Sequence, residues 1–175
     1  EYTVVASATD PAGNTGDSLP ESFVVDTVGP ELTIDDVEPT NDTTPTLSGT
    51  TDKDATVAVE ILDKAGNIVA KGPATVDAEG NWTYTPDAAL PEGDYTIKAV
   101  ATDPVGNTTT EISEVPFTVD TTAPSNTDVT IDPIDDTNDT TPAITGTTEA
   151  DTKVKVVVKD SAGNIVDQGD ATVTD

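Results

Sequence analysis

Several segments of this chain are near-copies of other segments, and this internal repeat limits the folds that the chain can adopt. The matching pairs are 2–15 with 95–108, 23–30 with 117–124, and 40–51 with 137–148. The copies are separated by 93 to 97 residues, which is the size of one small domain. A repeat of this period predicts a tandem array, so the function has to be inferred from what repetition accomplishes.

The chain is strongly acidic. It has seven lysines, no arginine and 34 acidic residues, which gives a formal net charge of −27. Because so few cations could neutralise phosphates, we expect no nucleic-acid partner and no direct contact with an anionic membrane. Short aspartate carboxylates beside Asn, Gly, Pro and Thr suit either turn capping or a hard cation such as calcium. Both alternatives remain open from composition.

Cysteine, histidine and methionine are all absent. Disulfides, thiol nucleophiles, imidazole bases and soft-metal sites are therefore excluded. The acidic residues recur with the repeat and lie in turns, where no deep cleft is expected for paired-carboxylate chemistry. We expect this chain not to be an enzyme.

Short segments of alternating polarity between turn residues predict an all-β chain. Seven strands are expected in the middle of the chain, at 31–37, 46–51, 55–63, 68–76, 81–85, 94–102 and 111–120. Alternation with a period of two places one face of each strand on a core. The predicted core-facing residues of two of these strands are Val57, Val59 and Ile61, and Tyr95, Ile97, Ala99 and Ala101. The pattern is typical of a β-sandwich.

Two features refine this expectation. The segment 90–95, Leu-Pro-Glu-Gly-Asp-Tyr, is similar to the corner of fibronectin-type sandwiches in which a tyrosine hydroxyl bonds to the backbone. Trp82 and Tyr84 are expected to supply the main aromatic core.

The repeat alignment divides the chain into three parts. Residues 1–27 are expected to be the last two strands of a preceding repeat, residues 28–121 a complete repeat, and residues 122–175 the first four strands of a following repeat. We expect the incomplete ends to be cut from a longer array rather than completed by neighbouring copies.

The repeated segments Phe-x-Val-Asp-Thr-x-x-Pro, Thr-Asn-Asp-Thr-Thr-Pro, Ala-Gly-Asn-Ile-Val and Ala-Thr-Asp-Pro-x-Gly-Asn carry a resemblance to a known family. They resemble the bacterial immunoglobulin-like repeats of large surface adhesins exported by type I secretion, which include biofilm-associated proteins. The resemblance implies tandem seven-stranded immunoglobulin-like β-sandwiches arranged end to end. It also implies an extracellular extender region, stiffened by calcium at the junctions, that projects an adhesive tip lying outside this chain. The partners would be neighbouring repeats of the same polypeptide.

The junctions between repeats are the predicted sites of chemistry. At the first junction we expect Asp26 to lie near Asp52 and Asp54 of one loop, and Asp103 and Asn107 of another. Calcium binds six to eight oxygens from carboxylates, amides and backbone carbonyls, so these residues are predicted to be ligands of Ca²⁺. The sequence Asp-Pro-x-Gly-Asn is equally typical of a hairpin turn, and the two interpretations are compatible.

A second junction is predicted to bring Asp120 near Glu149 and Asp151, again as a calcium site. Asp42 and Asp139 lie in the loop at the opposite end of each repeat, where acidic residues could contribute to the next junction or bind a separate ion, but the sequence favours a turn-capping role. No segment matches the EF-hand pattern, so any calcium site would combine several loops.

Two alternatives to a structural rod remain. A module that binds a glycan or a host protein would need exposed aromatic side chains, but the single tryptophan lies in a core pattern. Self-association between arrays would require divalent ions to offset the repulsion between negative chains.

Overall fold

The structure, a computed structural model, describes residues 1–125, 127–150 and 152–174. Every regular element within these ranges is a β-strand. None of the described residues belongs to a helix long and apolar enough to span a bilayer. Backbone contacts divide the chain into two compact units, 1–121 and 122–175. The boundary predicted between residues 27 and 28 lies inside the first unit and stays a prediction.

The first unit contains β1 (Tyr2–Val4), β2 (Ser7–Thr9), β3 (Thr15–Asp17), β4 (Glu21–Phe23), β5 (Leu47–Thr50), β6 (Thr56–Asp63), β7 (Ile68–Pro73), β8 (Thr75–Val76), β9 (Asn81–Tyr84), β10 (Gly93–Thr102), β11 (Thr108–Ile112) and β12 (Phe117–Val119). The second unit contains β13 (Lys155–Lys159) and β14 (Ile165–Asp170). In the first unit one sheet has the order β11-β10-β6-β7, with β12 also pairing with β10, and another has the order β5-β9-β8. These two sheets form an immunoglobulin-like β-sandwich, as predicted.

The core lies between the two sheets. Its largest fully buried side chains are Trp82, Phe117, Leu47, Ile61, Ile97, Val59 and Val119. The alternation predicted for β6 and β10 is confirmed, because every predicted core-facing residue of both strands is buried. Trp82 and Tyr84 are buried as predicted, and the structure adds a second aromatic pair, Tyr95 and Phe117, with ring centroids 5.5 Å apart.

The predicted tyrosine corner is present. The Tyr95 hydroxyl donates a hydrogen bond to the Pro91 carbonyl at 2.6 Å. Burial raises the pKa of Tyr95, and the nearby charge of Asp63 raises it further. The hydroxyl therefore stays protonated and can donate this hydrogen bond. The bond holds the backbone at Pro91, just before β10, in place.

The segment 31–37 does not form the regular strand that alternation predicted. Leu32 pairs with Thr51 as an isolated bridge, and the amide of Thr33 donates to the Thr50 carbonyl at 2.9 Å. The Thr33 carbonyl instead accepts the Trp82 indole N–H, at 2.9 Å. Because a core side chain uses this acceptor, the segment follows β5 without completing a ladder.

Two other predicted strands are divided. The segment 68–76 becomes β7 and β8, which pair in different sheets, with the change of sheet next to Pro73, a residue that has no amide to donate. The segment 111–120 becomes β11 and β12. Between the β10 pairings to Ile112 and to Phe117, four residues of this segment face two residues of β10. This bulge contains Pro116, which likewise cannot join the ladder.

Residues 1–27 form two short hairpin segments, β1 with β4 and β2 with β3. Tyr2 and Phe23 stack with ring centroids 5.5 Å apart, and both remain about half exposed. In the second unit β13 and β14 are antiparallel with a bulge at Val158 and Lys159.

Candidate metal site

Two loops and one linker meet at one end of the middle sandwich. The loop 51–55 follows β5 and the loop 103–107 follows β10, and both reach the same end because Thr56 pairs with Thr102. The segment that follows β4, residues 24–30, passes beside them and is called the linker below. Together they form an open depression of about 450 Å³.

Four of the five residues predicted for the first junction line this depression, namely Asp26, Asp52, Asp54 and Asp103. Lys53 is the only basic residue of its lining. The formal charge of these side chains is therefore −4 plus +1, or −3. Sequence reasoning missed Lys53, although its position between two predicted ligands was a visible signal.

The fifth predicted residue, Asn107, connects the linker to the loop. Its side-chain amide donates to the Asp26 carbonyl at 3.2 Å and to the Asp103 carboxylate at 2.8 Å. The Asp26 carboxylate accepts the Val28 amide at 3.1 Å. The structure therefore brings Asp26, Asp103 and Asn107 together through hydrogen bonds between protein groups.

Asp103 caps its own turn. Oδ1 accepts the amides of Val105, Gly106 and Asn107 at 2.7–3.0 Å, and Gly106 has a φ of 99°. Desolvation raises the pKa of Asp103, but the hydrogen bonds from Asn107, Gly106 and Val105 outweigh it and leave the pKa below its usual value. The turn-capping interpretation of this motif is confirmed.

The same turn occurs wherever the sequence reads Asp-x-x-Gly-Asn. Its five aspartates are Asp10, Asp63, Asp77, Asp103 and Asp160. In each turn the glycine adopts a positive φ between 83° and 99°. At all but Asp103, the side-chain amide of the asparagine is the main reason that the pKa of the aspartate is lowered. Sequence reasoning missed the copy at Asp77, which the spacing alone would have identified.

The donor chemistry of the depression fits a hard cation better than any other metal. Its candidate ligands are carboxylates and the Asn107 amide oxygen, and calcium accepts such oxygens in flexible geometry. Within residues 1–125, 127–150 and 152–174, however, no three acidic side chains already converge as a metal cage. The exposed Asp52 and Asp54 would have to turn inward. The loop that carries them is anchored by the buried Ala55, whose amide donates to the Asp52 carbonyl at 2.9 Å.

The second predicted junction stays a prediction. Asp151 lies outside the described residues. The Asp120 amide donates to the Thr40 carbonyl at 2.9 Å. Within the second unit, hydrogen bonds from Ser125 lower the pKa of Asp128, and Glu149 contributes further.

Asp42 and Asp139 behave alike in the two copies of their loop. Each accepts the backbone amide of the threonine two residues later, at 2.8 and 2.9 Å. Both therefore cap turns, as predicted.

The two sheets of the middle sandwich define an immunoglobulin-like repeat. A sequence profile of the bacterial Ig-like domain matches residues 34–121, half of the chain. The chain therefore belongs to the bacterial Ig-like domain family. No curated protein matches it.

Solved structures give two further likenesses. One is the crystal structure of a tetra-tandem repeat in the extending region of a large adhesion protein, with 33% identity and a TM-score of 0.47. That match covers 98% of this chain, which spans only 45% of the other. The second is CopC from Methylosinus trichosporium OB3b, with 20% identity, a TM-score of 0.40, and coverage of 51% of this chain and 94% of that one. Both TM-scores are below 0.5, so neither likeness supports an inference about this chain.

Proposed function

We propose that this chain is part of the extender region of a bacterial cell-surface adhesin. Tandem Ig-like repeats form a rod, calcium at the junctions stiffens it, and an adhesive tip outside this chain is held away from the cell. The match to the bacterial Ig-like domain family supports a role as a repeat, and the observation that carries the calcium part of the proposal is the common depression lined by Asp26, Asp52, Asp54 and Asp103. One of these residues lies on the linker and the others lie on the sandwich that follows it.

The mechanism is electrostatic. Without a cation, four carboxylates and one lysine leave a net negative charge where the linker meets the loops, and this repulsion weakens the contact between them. Calcium would supply a double positive charge at this point. Asp26 would hold it from the linker, while Asp52, Asp54 and Asp103 would hold it from the sandwich. Detachment of the linker from the loops would then require a calcium ligand to be lost.

The sandwich is suited to act as a spacer. The ten residues of β10 extend about 33 Å at about 3.3 Å each. Each further repeat of the same fold, joined through a short linker, would lengthen the rod by about this distance. The direct partners are then the neighbouring repeats of the same polypeptide, and the rod lies outside the cell, on the bacterial surface.

The alternative of a glycan-binding module gains no support from the tryptophan. Trp82 is fully buried, and its indole N–H is bonded to the Thr33 carbonyl. The indole therefore presents no face to a sugar.

The test is thermal unfolding in calcium and in excess chelator. Trp82 is the single tryptophan, so its fluorescence follows the middle repeat alone. At a calcium concentration 100 times the Kd, binding to the native state adds about 2.7 kcal/mol. For a domain of this size that is a rise in Tm of about 11–22 °C.

Asp26→Ala should abolish most of this rise. Asp87→Ala is the matched control, because Asp87 follows β9 at the end of the sheet where Leu47 pairs with Tyr84, away from loop 51–55. This variant should keep the full calcium effect. Equal Tm values in calcium and chelator for the unaltered chain would contradict the proposal.

A further inference from the structure

Gly29 lies closer to the middle sandwich than any residue with a side chain could. A Cβ at this position would lie 2.6 Å from Thr109 Oγ1 and 2.8 and 3.0 Å from the carbonyl oxygen and carbon of Thr108. The two Thr108 atoms belong to the backbone at the start of β11 and cannot rotate away. The next residue, Pro30, is buried. The linker is therefore seated against β11 only because residue 29 is a glycine.

Asn107 gives the linker a second attachment. Its amide is oriented by the turn, through the 2.8 Å bond to Asp103, and also reaches the Asp26 carbonyl at 3.2 Å. The asparagine of the Asp63 turn, Asn67, makes the same bond within its turn and, in the described part of the chain, donates no side-chain hydrogen bond to a linker. The Asn107 amide therefore stabilises its own turn and also attaches the linker, through the Asp26 carbonyl.

We propose that Gly29 and Asn107 lock the linker onto the middle sandwich before any metal binds, and that this lock positions Asp26 for calcium. The positioning half of the inference rests on the proposed function, whereas the lock itself does not.

The lock shortens the segment that can bend. β4 ends at Phe23, and without the lock the next attachment is the buried Pro30, followed by the Glu31 carbonyl, which accepts the Thr51 hydroxyl at 2.8 Å. Residues 24–29 would then be unattached and could span about 22 Å, at up to about 3.6 Å per residue. With the lock, only residues 24–25 remain free to bend, and they can span only about 7 Å. Asp26 therefore stays beside the depression, and calcium meets a ligand that is already in place, which lowers the cost of ordering it.

The chain provides a conservative substitution for the test. In the repeat alignment Ala123 precedes Pro124 as Gly29 precedes Pro30. The next repeat thus carries alanine at the equivalent position, and Gly29→Ala adds one methyl group that meets the Thr108 backbone.

The experiment measures backbone ¹⁵N order parameters of the full chain in chelator. The lock predicts values near 0.85 for residues 27–29, typical of a rigid backbone, and values below 0.6 in Gly29→Ala and Asn107→Ala. Asn67→Ala is the matched control: it removes the same amide from the Asp63 turn and should leave residues 27–29 rigid. Values below 0.6 in the unaltered chain, or unchanged values in both lock variants, would overturn the inference.

A calcium titration of Gly29→Ala tests the positioning half, because Gly29 has no side chain to act as a ligand. A weaker calcium affinity than that of the unaltered chain is expected, and equal affinity would refute this half. If the unaltered chain binds no calcium, the proposed function fails, while the order parameters in chelator still decide whether the lock exists.

Discussion

Gly49 in β5 is the position where a single methyl group should damage the sandwich most. A Cβ at Gly49 would lie 2.1 Å from the Thr33 carbonyl oxygen and 2.7 Å from Trp82 Nε1. These two atoms are bonded to each other at 2.9 Å. Gly49→Ala therefore forces apart a buried hydrogen bond and presses on a fully buried indole.

The magnitude follows from two effects. Inserting a methyl group into a packed core costs about 1–3 kcal/mol, and leaving the indole N–H without its acceptor costs about 1–3 kcal/mol. The two overlap, because a shift of Thr33 relieves the clash while breaking the bond. We therefore expect a loss of about 3 kcal/mol and a fall in Tm of about 12–24 °C.

The assay is thermal unfolding followed by Trp82 fluorescence. Gly16→Ala is the control, since a Cβ at Gly16 meets nothing within 4 Å, and its Tm should equal that of the unaltered chain. If Gly49→Ala unfolds within about 2 °C of the unaltered chain, the packing inferred between β5, Thr33 and Trp82 is wrong.

Two further predictions concern turns and corners. In the folded chain the pKa of Asp77 is lowered, chiefly by the Asn81 side chain. Its contribution to stability is therefore present above the unfolded pKa of about 3.8 and is lost as the pH falls through the lower folded value. Asp77→Asn should unfold at a Tm that depends less on pH below about 4 than that of the unaltered chain; identical pH profiles would refute this. Tyr95→Phe removes the hydroxyl of the corner and should cost about 1 kcal/mol, or about 4–8 °C in Tm, whereas Tyr2→Phe, at the equivalent exposed position, should leave the Tm of the middle repeat unchanged. A Tyr95→Phe chain as stable as the original would show that the corner bond contributes nothing.

Local patterns in the sequence predicted the features that local physics determines. Alternation identified the buried faces of β6 and β10, because a strand directs every second side chain to the core. The tyrosine corner and the Asp103 turn followed from short motifs whose hydrogen bonds close within a few residues.

The features that the sequence did not predict depend on distant contacts. Nothing near Thr33 indicates that Trp82 would take its carbonyl, yet this contact prevents a regular strand at 31–37. The seat of Gly29 against Thr108 joins positions 79 residues apart, and no local pattern distinguishes it from an ordinary linker glycine. Similarly, the loop positions expected in a seven-stranded sandwich placed Asp26 near Asp103, but only the structure connects them through Asn107.

The most direct test of the rod is small-angle X-ray scattering of the full chain, in calcium and in excess chelator. If calcium stiffens the junctions, the maximum dimension should increase with calcium and the flexibility of the chain should decrease, and Asp26→Ala should lose part of this response. Scattering profiles that are the same in calcium and chelator would contradict the proposal that calcium stiffens this array.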